Sequence, residues 1–231
     1  METFVTKIVS VVLPSQFNKM EPKERISAKA EELFMQFGIR SVSMDDIAHS
    51  LGMSKKTLYQ YYTDKDELVY AMIESHIRDM QQDCESCREQ ANDAIHEIFI
   101  TMERIVDELS NMNPMVLYDL EKFHHKAFQH FKEHKDKYLV KIVRNNIEWG
   151  ISQGLYRSEL NVDVMSKYRM ESMMIPFNVA VFPPGKYNLA TISEMIIENF
   201  IYGLTTIKGH QLIQQYYEQR KNHLTYEANR E

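Results

Sequence analysis

The stretch DDIAHSLGMSKKTLYQYYTDKDEL, residues 45–68, decides the fold that we predict for this chain. Ser43, just before it, is placed to cap a short helix, with Asp46 three residues on as in a capping box. Gly52 then supplies a turn, and Ser54 begins another helix. That helix is about two turns long, because Thr63 already reads as the next capping residue. Two short helices joined by a glycine-containing turn indicate a helix-turn-helix unit.

A third helix is predicted directly before this unit. Pro22 suits a first helical turn, where its missing N–H costs nothing. Apolar residues then recur at helical spacing as far as Phe37, and Gly38 ends the pattern in the manner of a C-cap. The apolar residues of this stripe are Ile26, Ala30, Leu33, Phe34 and Phe37. The N-terminal part of the chain therefore predicts three short helices around one small core.

The helix that begins after Ser54 has one inward anchor and a polar outer face. Steps of about 100° per residue put Leu58 on the inside. The outer face holds two cations, a phenol and an amide, which suit phosphate oxygens and base edges in a DNA major groove. These residues are Lys55, Lys56, Tyr59 and Gln60. The alternative is a solvated polar face on a structural helix, which has the same composition.

The net charge limits where nucleic acid could bind. The whole chain carries a formal charge of -6, so contact with DNA must come from a local patch. Between Met53 and Lys65, three lysines oppose the single acid Asp64, which leaves a local excess of positive charge. This excess coincides with the predicted outer face.

The segment from Ile26 to Leu68 resembles the DNA-binding domain of the tetracycline-repressor (TetR) family. Most of it is the stretch EELFMQFGIRSVSMDDIAHSLGMSKKTLYQYYTDKDEL, residues 31–68. The resemblance implies a homodimer that binds palindromic, double-stranded operator DNA. It implies repression of transcription until a small apolar or amphipathic effector binds. It further implies a cytoplasmic protein without cofactor, metal or enzymatic activity, and no membrane partner.

The same resemblance implies which side chains meet DNA. Ser43 would lie near a phosphate, and the entry of the recognition helix would contribute Ser54, Lys55, Lys56 and Thr57. Tyr59 and Gln60 would meet bases or backbone, whereas Tyr61 and Lys65 would meet phosphates. Tyr62 matches an aromatic core position of the family. A helical wheel differs from these implied DNA contacts at Thr57 and Tyr61, because it places both side chains at the flank of the helix.

The rest of the chain predicts more helices. Only 7 Gly and 6 Pro occur, and helix-forming residues are abundant, so we expect an all-α protein with a larger helical ligand-binding and dimerisation domain. The expected domains are 21–67 for DNA binding and 68–231 for regulation. A connector helix should begin near Glu67. Further helices are expected over 91–109, 117–123, 126–153, 164–181 and 188–203, with Asp163 as an N-cap and a last helix after Gly209.

Fifteen methionines are present, and several cluster with aromatic residues at positions that suit an adaptable apolar pocket. Each could equally be a core residue. The expected pocket residues are Met102, Met115, Tyr118, Phe123, Phe128, Tyr168, Met173 and Phe177. The resemblance also implies a four-helix dimer bundle, for which we expect Ile192, Met195, Ile196 and Phe200 to supply apolar contacts.

Two other motifs are candidates for different chemistry. Cys84 and Cys87 form one CxxC, which without further ligands indicates structural thiols in a reducing compartment. His130, Glu133 and His134 match the order of an HxxEH zinc protease motif. With lysines around it and no third ligand, a solvated helix face is the simpler interpretation. A zinc-dependent hydrolase and a helical binding module without DNA are the alternative functions.

The opening METFVTKIVSVVLPSQF is neither a membrane span nor a good signal peptide. Its apolar centre is short, Glu2 is acidic, and no small-residue cleavage site follows. We expect residues 1–20 to be a leader, disordered or arising from a misassigned start. An intact mass of the native protein that matched a start at Met1 would contradict the misassigned start.

Overall fold

The computed structural model describes residues 21–228, with side chains described for residues 21–221. Every regular element in this range is helical, apart from two isolated bridges. The all-α prediction is confirmed. The predicted leader, residues 1–20, lies outside the described residues. None of the helices described is long and apolar enough to cross a membrane.

Three short helices open the fold: α1 (Pro22–Phe37), α2 (Met44–Ser50) and α3 (Lys55–Leu58). Gly38 ends α1 with a φ of 83°, which a residue with a side chain rarely adopts. α3 has a single turn where about two were predicted. After Leu58, hydrogen bonds join residues that are three apart, such as the bond from Tyr61 N to Leu58 O at 3.0 Å. This spacing does not continue an α-helix.

The connector helix α4 (Lys65–Gln90) has Asp64 rather than the predicted Thr63 as its N-cap, so it begins one residue later than a cap at Thr63 implies. The Asp64 carboxylate accepts a hydrogen bond from Glu67 N at 2.8 Å. Thr63 instead donates its N–H and its hydroxyl to the Glu67 carboxylate, at 2.7 and 2.8 Å. Two carboxylates therefore cap one helix end, and the sequence does not show which residue is the cap.

The middle of the chain forms α5 (Ala94–Leu109), α6 (Met115–Phe123), α7 (His125–His134) and α8 (Val140–Ser152). One π-helical segment, Lys135–Leu139, joins α7 to α8. The long helix predicted over 126–153 is thus present, with a local widening that periodicity alone does not reveal.

The last part comprises α9 (Val162–Ser172), α10 (Leu189–Leu204) and α11 (Ile207–Ala228), with a short 3₁₀ turn at Ile175–Phe177. α9 is shorter than the predicted 164–181. Pro176 explains the difference, because it has no N–H for the Ser172 carbonyl and its ring would clash there. The N-cap of α9 is Asn161, not the predicted Asp163, which pairs with Arg144 at 2.7 Å.

Two buried apolar clusters hold these helices together. The first joins α1–α4 to α6 and α7, through residues such as Phe34, Leu58 and Leu120. The second joins α5, α8, α10 and α11, through residues such as Ile95 and Ile147. The first cluster extends across the predicted boundary at 67/68, so the helix-turn-helix unit rests directly on the helices that follow it.

Candidate nucleic-acid interface and cavity

The single turn of α3 is held from below by Leu58 and Tyr62. Leu58 is fully buried and Tyr62 is 2% exposed. The Tyr62 hydroxyl also donates to Lys23 O of α1 at 3.3 Å. Because α3 is too short to be stable alone, these contacts fix the direction of its outer face.

We call the exposed side chains of Lys55, Lys56, Tyr59 and Gln60 the recognition face. Lys55 Nζ lies 2.7 Å from Asp45 Oδ1 of α2, and this carboxylate raises the pKa of Lys55. Lys56 and Gln60 have no side-chain partner among the described residues. Tyr59 is 40% exposed. The structure thus brings four predicted DNA-binding side chains together on one surface.

The hydroxyl groups predicted to contact DNA, those of Ser43, Ser54 and Thr57, differ in whether a hydrogen remains free for a phosphate. Ser43 Oγ donates to Asp46 Oδ2 at 2.6 Å and accepts from Asp46 N, while Ser43 N donates to the same carboxylate at 2.8 Å. Its donors are therefore occupied within a capping box. Ser54 Oγ accepts from Thr57 N and shares one hydrogen bond with Thr57 Oγ1 at 2.8 Å. One hydroxyl hydrogen of the Ser54 and Thr57 pair remains free.

Two residues predicted to contact DNA phosphates, Lys65 and Tyr61, contact other parts of the protein instead. Lys65 Nζ donates to Ile39 O and Val42 O, both at 2.5 Å, and burial lowers the pKa of Lys65. Tyr61 is half-buried and packs on the first core cluster, as the helical wheel indicated. Lys65 therefore fastens the turn between α1 and α2 to α4, a role that its sequence position does not suggest.

A cavity of about 280 Å³ lies among α4, α5, α6, α8, α9 and α10. Its wall is mainly aliphatic and sulfur-containing, with Met72, Met80, Met102, Ile105, Leu117 and Ile197 as examples. Met35 of α1 also reaches it. The cavity thus contacts the helix-turn-helix unit directly.

Three of the eight predicted pocket residues line this cavity: Met102, Met173 and Phe177. The other five lie elsewhere, which corrects the prediction. Tyr118, Phe123 and Tyr168 are 38%, 41% and 55% exposed. Met115 lies near Gly38 at the start of α6, and Phe128 packs on the first core cluster. Helical periodicity separates inner from outer faces, but it cannot distinguish a core position from a cavity wall.

Several polar groups in the cavity wall were not predicted as site residues. Asp83 is paired with Arg104, Glu108 lies 3.3 Å from His76, and Glu97 accepts from Asn146 at 2.9 Å. The wall also includes Arg169. No local pattern marks these residues, because long polar side chains on helices usually reach solvent.

Cys84 and Cys87 are free thiols on the cavity side of α4. Burial raises the pKa of Cys84 to about 12 and also raises the pKa of Cys87. Both side chains are therefore neutral thiols at neutral pH. Neutral thiols are weak nucleophiles.

Two hydrogen bonds tie α1 and the turn after it to α6 and the residue just before α6. Arg40 N donates to Asp119 Oδ2 of α6 at 2.8 Å. Asn113 N, just before α6, donates to Met35 O at 2.7 Å. α6 also forms part of the cavity wall through Val116, Leu117 and Leu120. One helix therefore contacts both the cavity and the DNA-binding unit.

The predicted dimer residues are mostly internal. Ile192 and Phe200 are buried within the chain, and Ile196 lines the cavity. Only Met195 is well exposed, at 58%. The exposed apolar side chains of this region also include Val164 and Tyr168 of α9.

The residues of the HxxEH motif do not converge. His130 stacks on Tyr70 with ring centroids 5.3 Å apart, and Glu133 pairs with Lys137 at 3.3 Å. His134 is buried and has Gln81 near its Nδ1. Across the part of the chain whose side chains are described, no three His, Cys, Asp or Glu side chains lie close enough to hold a metal ion.

Comparison with known proteins identifies the N-terminal unit. A family model described as bacterial regulatory proteins, tetR family, matches residues 26–72. The HTH-type transcriptional regulator YvaF of Bacillus subtilis is 36% identical over 109 residues, covering 46% of this chain and 55% of YvaF. Residues 26–72, the helix-turn-helix unit, therefore match the TetR family. Other curated relatives match over shorter stretches, such as the putative mycofactocin biosynthesis regulator MftR of Mycobacterium tuberculosis, 38% identical over 24% of this chain and 28% of MftR. The chain thus spans about half or less of the length of these curated relatives.

Solved TetR-type structures share the fold along most of the chain. A TetR-family regulator from Agrobacterium tumefaciens has a TM-score of 0.65 at 12% identity and covers 80% of this chain and 100% of its own. The fatty acid degradation regulator FadR from Bacillus halodurans has a TM-score of 0.62 at 16% identity, covering 80% and 97%. At such identities the likeness shows the fold alone.

Proposed function

We propose that this protein is a homodimeric TetR-family repressor of transcription that binds operator DNA and is released by an apolar or amphipathic effector. The observation that carries the proposal is the recognition face. Lys56, Tyr59 and Gln60 stand exposed on α3 and the turn directly after it, which Leu58 anchors, with no internal structural task for the lysine or the amide. Such an arrangement suits phosphates and base edges in a major groove.

Lys55 contributes through an exchange of partners. In the free protein it is paired with Asp45, in an exposed position where the ion pair is weakly stabilising. A DNA phosphate near Lys55 would compete with Asp45 and leave this acid beside the DNA. Asp45 then disfavours wrong positioning, because a carboxylate close to a phosphate is repelled.

Dimerisation would set the distance between the recognition helices of the two protomers. Two recognition helices must lie roughly 34–36 Å apart to enter successive major grooves. We place the dimer contact on the exposed apolar side chains of α9 and α10, namely Val164, Tyr168 and Met195, in place of the buried residues first predicted. Self-complementary apolar faces of this kind form two-fold interfaces.

The effector would act through α6. This helix lines the cavity and, through Asp119, holds the turn after α1. An effector that fits the cavity better when α6 is displaced would shift the population towards a dimer with a spacing unsuited to DNA. Such a regulator works where the DNA is, which agrees with the predicted cytoplasmic location.

Selection of bound duplexes from a random pool, followed by salt titration, tests the proposal. We expect a palindromic sequence, and an affinity that falls steeply as salt is raised because phosphate contacts release counterions. The Lys56→Ala/Tyr59→Ala double variant should lose at least tenfold in operator affinity with unchanged thermal unfolding.

A matched control is the Tyr118→Ala/Lys122→Ala variant, which removes an exposed lysine and tyrosine from α6. In the structure Lys122 Nζ lies 2.9 Å from Tyr118 Oη, far along the chain from the recognition face. This control should bind the operator normally. Absence of salt-dependent binding to any duplex would refute the proposal and favour a helical binding module that does not use DNA.

A further inference from the structure

Arg169 lies on α9 with its side chain in the cavity wall. Its Nη1 atom is inaccessible and has no hydrogen-bond partner. Within the described part of the chain, no other hydrogen bond and no ion pair uses the guanidinium. The Phe200 ring lies 5.8 Å from Cζ. Among the described residues, the guanidinium thus faces the cavity with the Phe200 ring as its one partner.

The nearby acids on α9 do not neutralise it. Glu171 pairs with Lys135 at 2.6 Å, and Asp163 pairs with Arg144 at 2.7 Å. Burial alone lowers the pKa of Arg169, to about 10, with no carboxylate to oppose the shift. The guanidinium therefore remains charged at neutral pH.

Burial of a charge without a counter-ion is costly, and buried arginines are normally paired and hydrogen-bonded. The cost disappears if a ligand brings the missing acceptor. A guanidinium presents its N–H groups as a planar fork that matches a carboxylate in a bidentate manner. The cavity around it is otherwise mainly apolar, so the rest of such a ligand must be apolar as well.

We propose that the cavity binds an amphipathic monocarboxylate, with its acid group on Arg169 and its apolar body among Met102, Ile105 and Ile197. The inference deepens the proposed function, on which it rests, by naming the chemical class of the effector. It concerns binding to the cavity, which is measurable without DNA.

A single negative charge fits better than two. The other basic residues of the wall, His76 and Arg104, already lie against Glu108 and Asp83. A phosphate monoester carries close to two charges at neutral pH, and it would leave part of that charge without a partner. A carboxylate needs only the one free guanidinium.

Isothermal titration calorimetry of the full chain with three ligands of equal chain length tests this directly: decanoate, decan-1-ol and decyl phosphate. Decanoate should bind at least tenfold more tightly than either of the others. Binding of decyl phosphate more tightly than decanoate would overturn the assignment of a carboxylate. Equal binding of decanoate and decanol, or no binding of either, would overturn the role of Arg169.

Two variants separate charge recognition from packing. Arg169→Met should abolish the preference for decanoate over decanol and leave decanol binding unchanged within about twofold. Arg144→Met is the matched control, because it removes a guanidinium from neighbouring α8 at a position outside the cavity wall. It should keep the preference. If Arg169→Met also kept it, the proposal would be wrong.

Failure of this inference and failure of the proposed function give different results. A protein that binds decanoate through Arg169 but no duplex would retain the cavity assignment and lose the repressor assignment. A protein that binds a palindrome but shows no carboxylate preference would do the reverse. If the Arg169→Met variant does not fold, the ligand comparison on the native chain still decides the outcome.

Discussion

The recognition face and the cavity are built in opposite ways. The recognition face comes from one short stretch, in which Ser54 starts the helix, Leu58 anchors it and Gly52 turns the chain towards it. The cavity instead takes its wall from helices between α1 and α10, and residues as distant as Met35 and Phe200 share it. A surface made by local signals needs only correct helix ends, whereas a cavity depends on the packing of the whole chain.

This difference separates the two halves of the proposed mechanism. The side chains that would touch DNA do not line the cavity, but the core beneath them does, through residues such as Met72 and Leu120. Beside this shared core, the hydrogen bond from Arg40 N to Asp119 joins the turn after α1 to α6. Regulation would therefore pass through this shared core and the Asp119 contact, which join two regions with separate tasks.

The largest expected effect comes from removing one buried anchor from each region. Leu58→Ala and Met102→Ala each delete a side chain that is at most 2% exposed, which should lower the free energy of unfolding by about 2–5 kcal/mol. Leu58→Ala should abolish operator binding, because the single turn of α3 loses its support. Met102→Ala should instead alter affinity for cavity ligands and leave operator affinity nearly intact.

Chemical denaturation, duplex binding and ligand calorimetry on both variants provide the measurements. If Leu58→Ala weakened ligand binding as much as duplex binding, the two regions would be one cooperative unit. The contrast between a local surface and a non-local cavity would then have no functional meaning.

The next effect concerns the contact between the regions. Asp119 is 4% exposed and accepts from Arg40 N, so Asp119→Ala leaves that donor without its partner and should cost about 1–3 kcal/mol of stability. Hydrogen exchange followed by mass spectrometry should show faster exchange in peptides that contain Arg40. Peptides from α10 should be unchanged.

Asp119→Asn is the conservative control, since its amide oxygen can still accept the hydrogen bond. It should restore most of the protection at Arg40. Unchanged exchange around Arg40 in Asp119→Ala would show that α6 does not hold this turn, and the proposed route from cavity to DNA would fail.

The sequence predicts the local features well and the non-local ones poorly, for physical reasons. Apolar spacing and capping residues place α1, α2 and the outward direction of Lys56 and Tyr59, because these depend on neighbours within a few residues. Lys65 could not be predicted, since its acceptors are carbonyls of a turn more than twenty residues away. The role of Arg169 could not be predicted for a similar reason, because only the packed fold places its side chain in the cavity wall.

The smallest expected effect comes from Ser43→Ala, which tests whether Ser43 caps α2 or contacts a DNA phosphate. Ser43→Ala removes the capping hydroxyl of α2 and should lower the free energy of unfolding by about 1 kcal/mol. Because the donors of Ser43 are already bound to Asp46, the slope of operator affinity against salt concentration should not change. Ser50→Ala, at the exposed end of the same helix, is the control and should change neither quantity. If Ser43→Ala lowered the salt slope by about one phosphate contact, the capping box would open on DNA, and even this locally determined feature would depend on the partner.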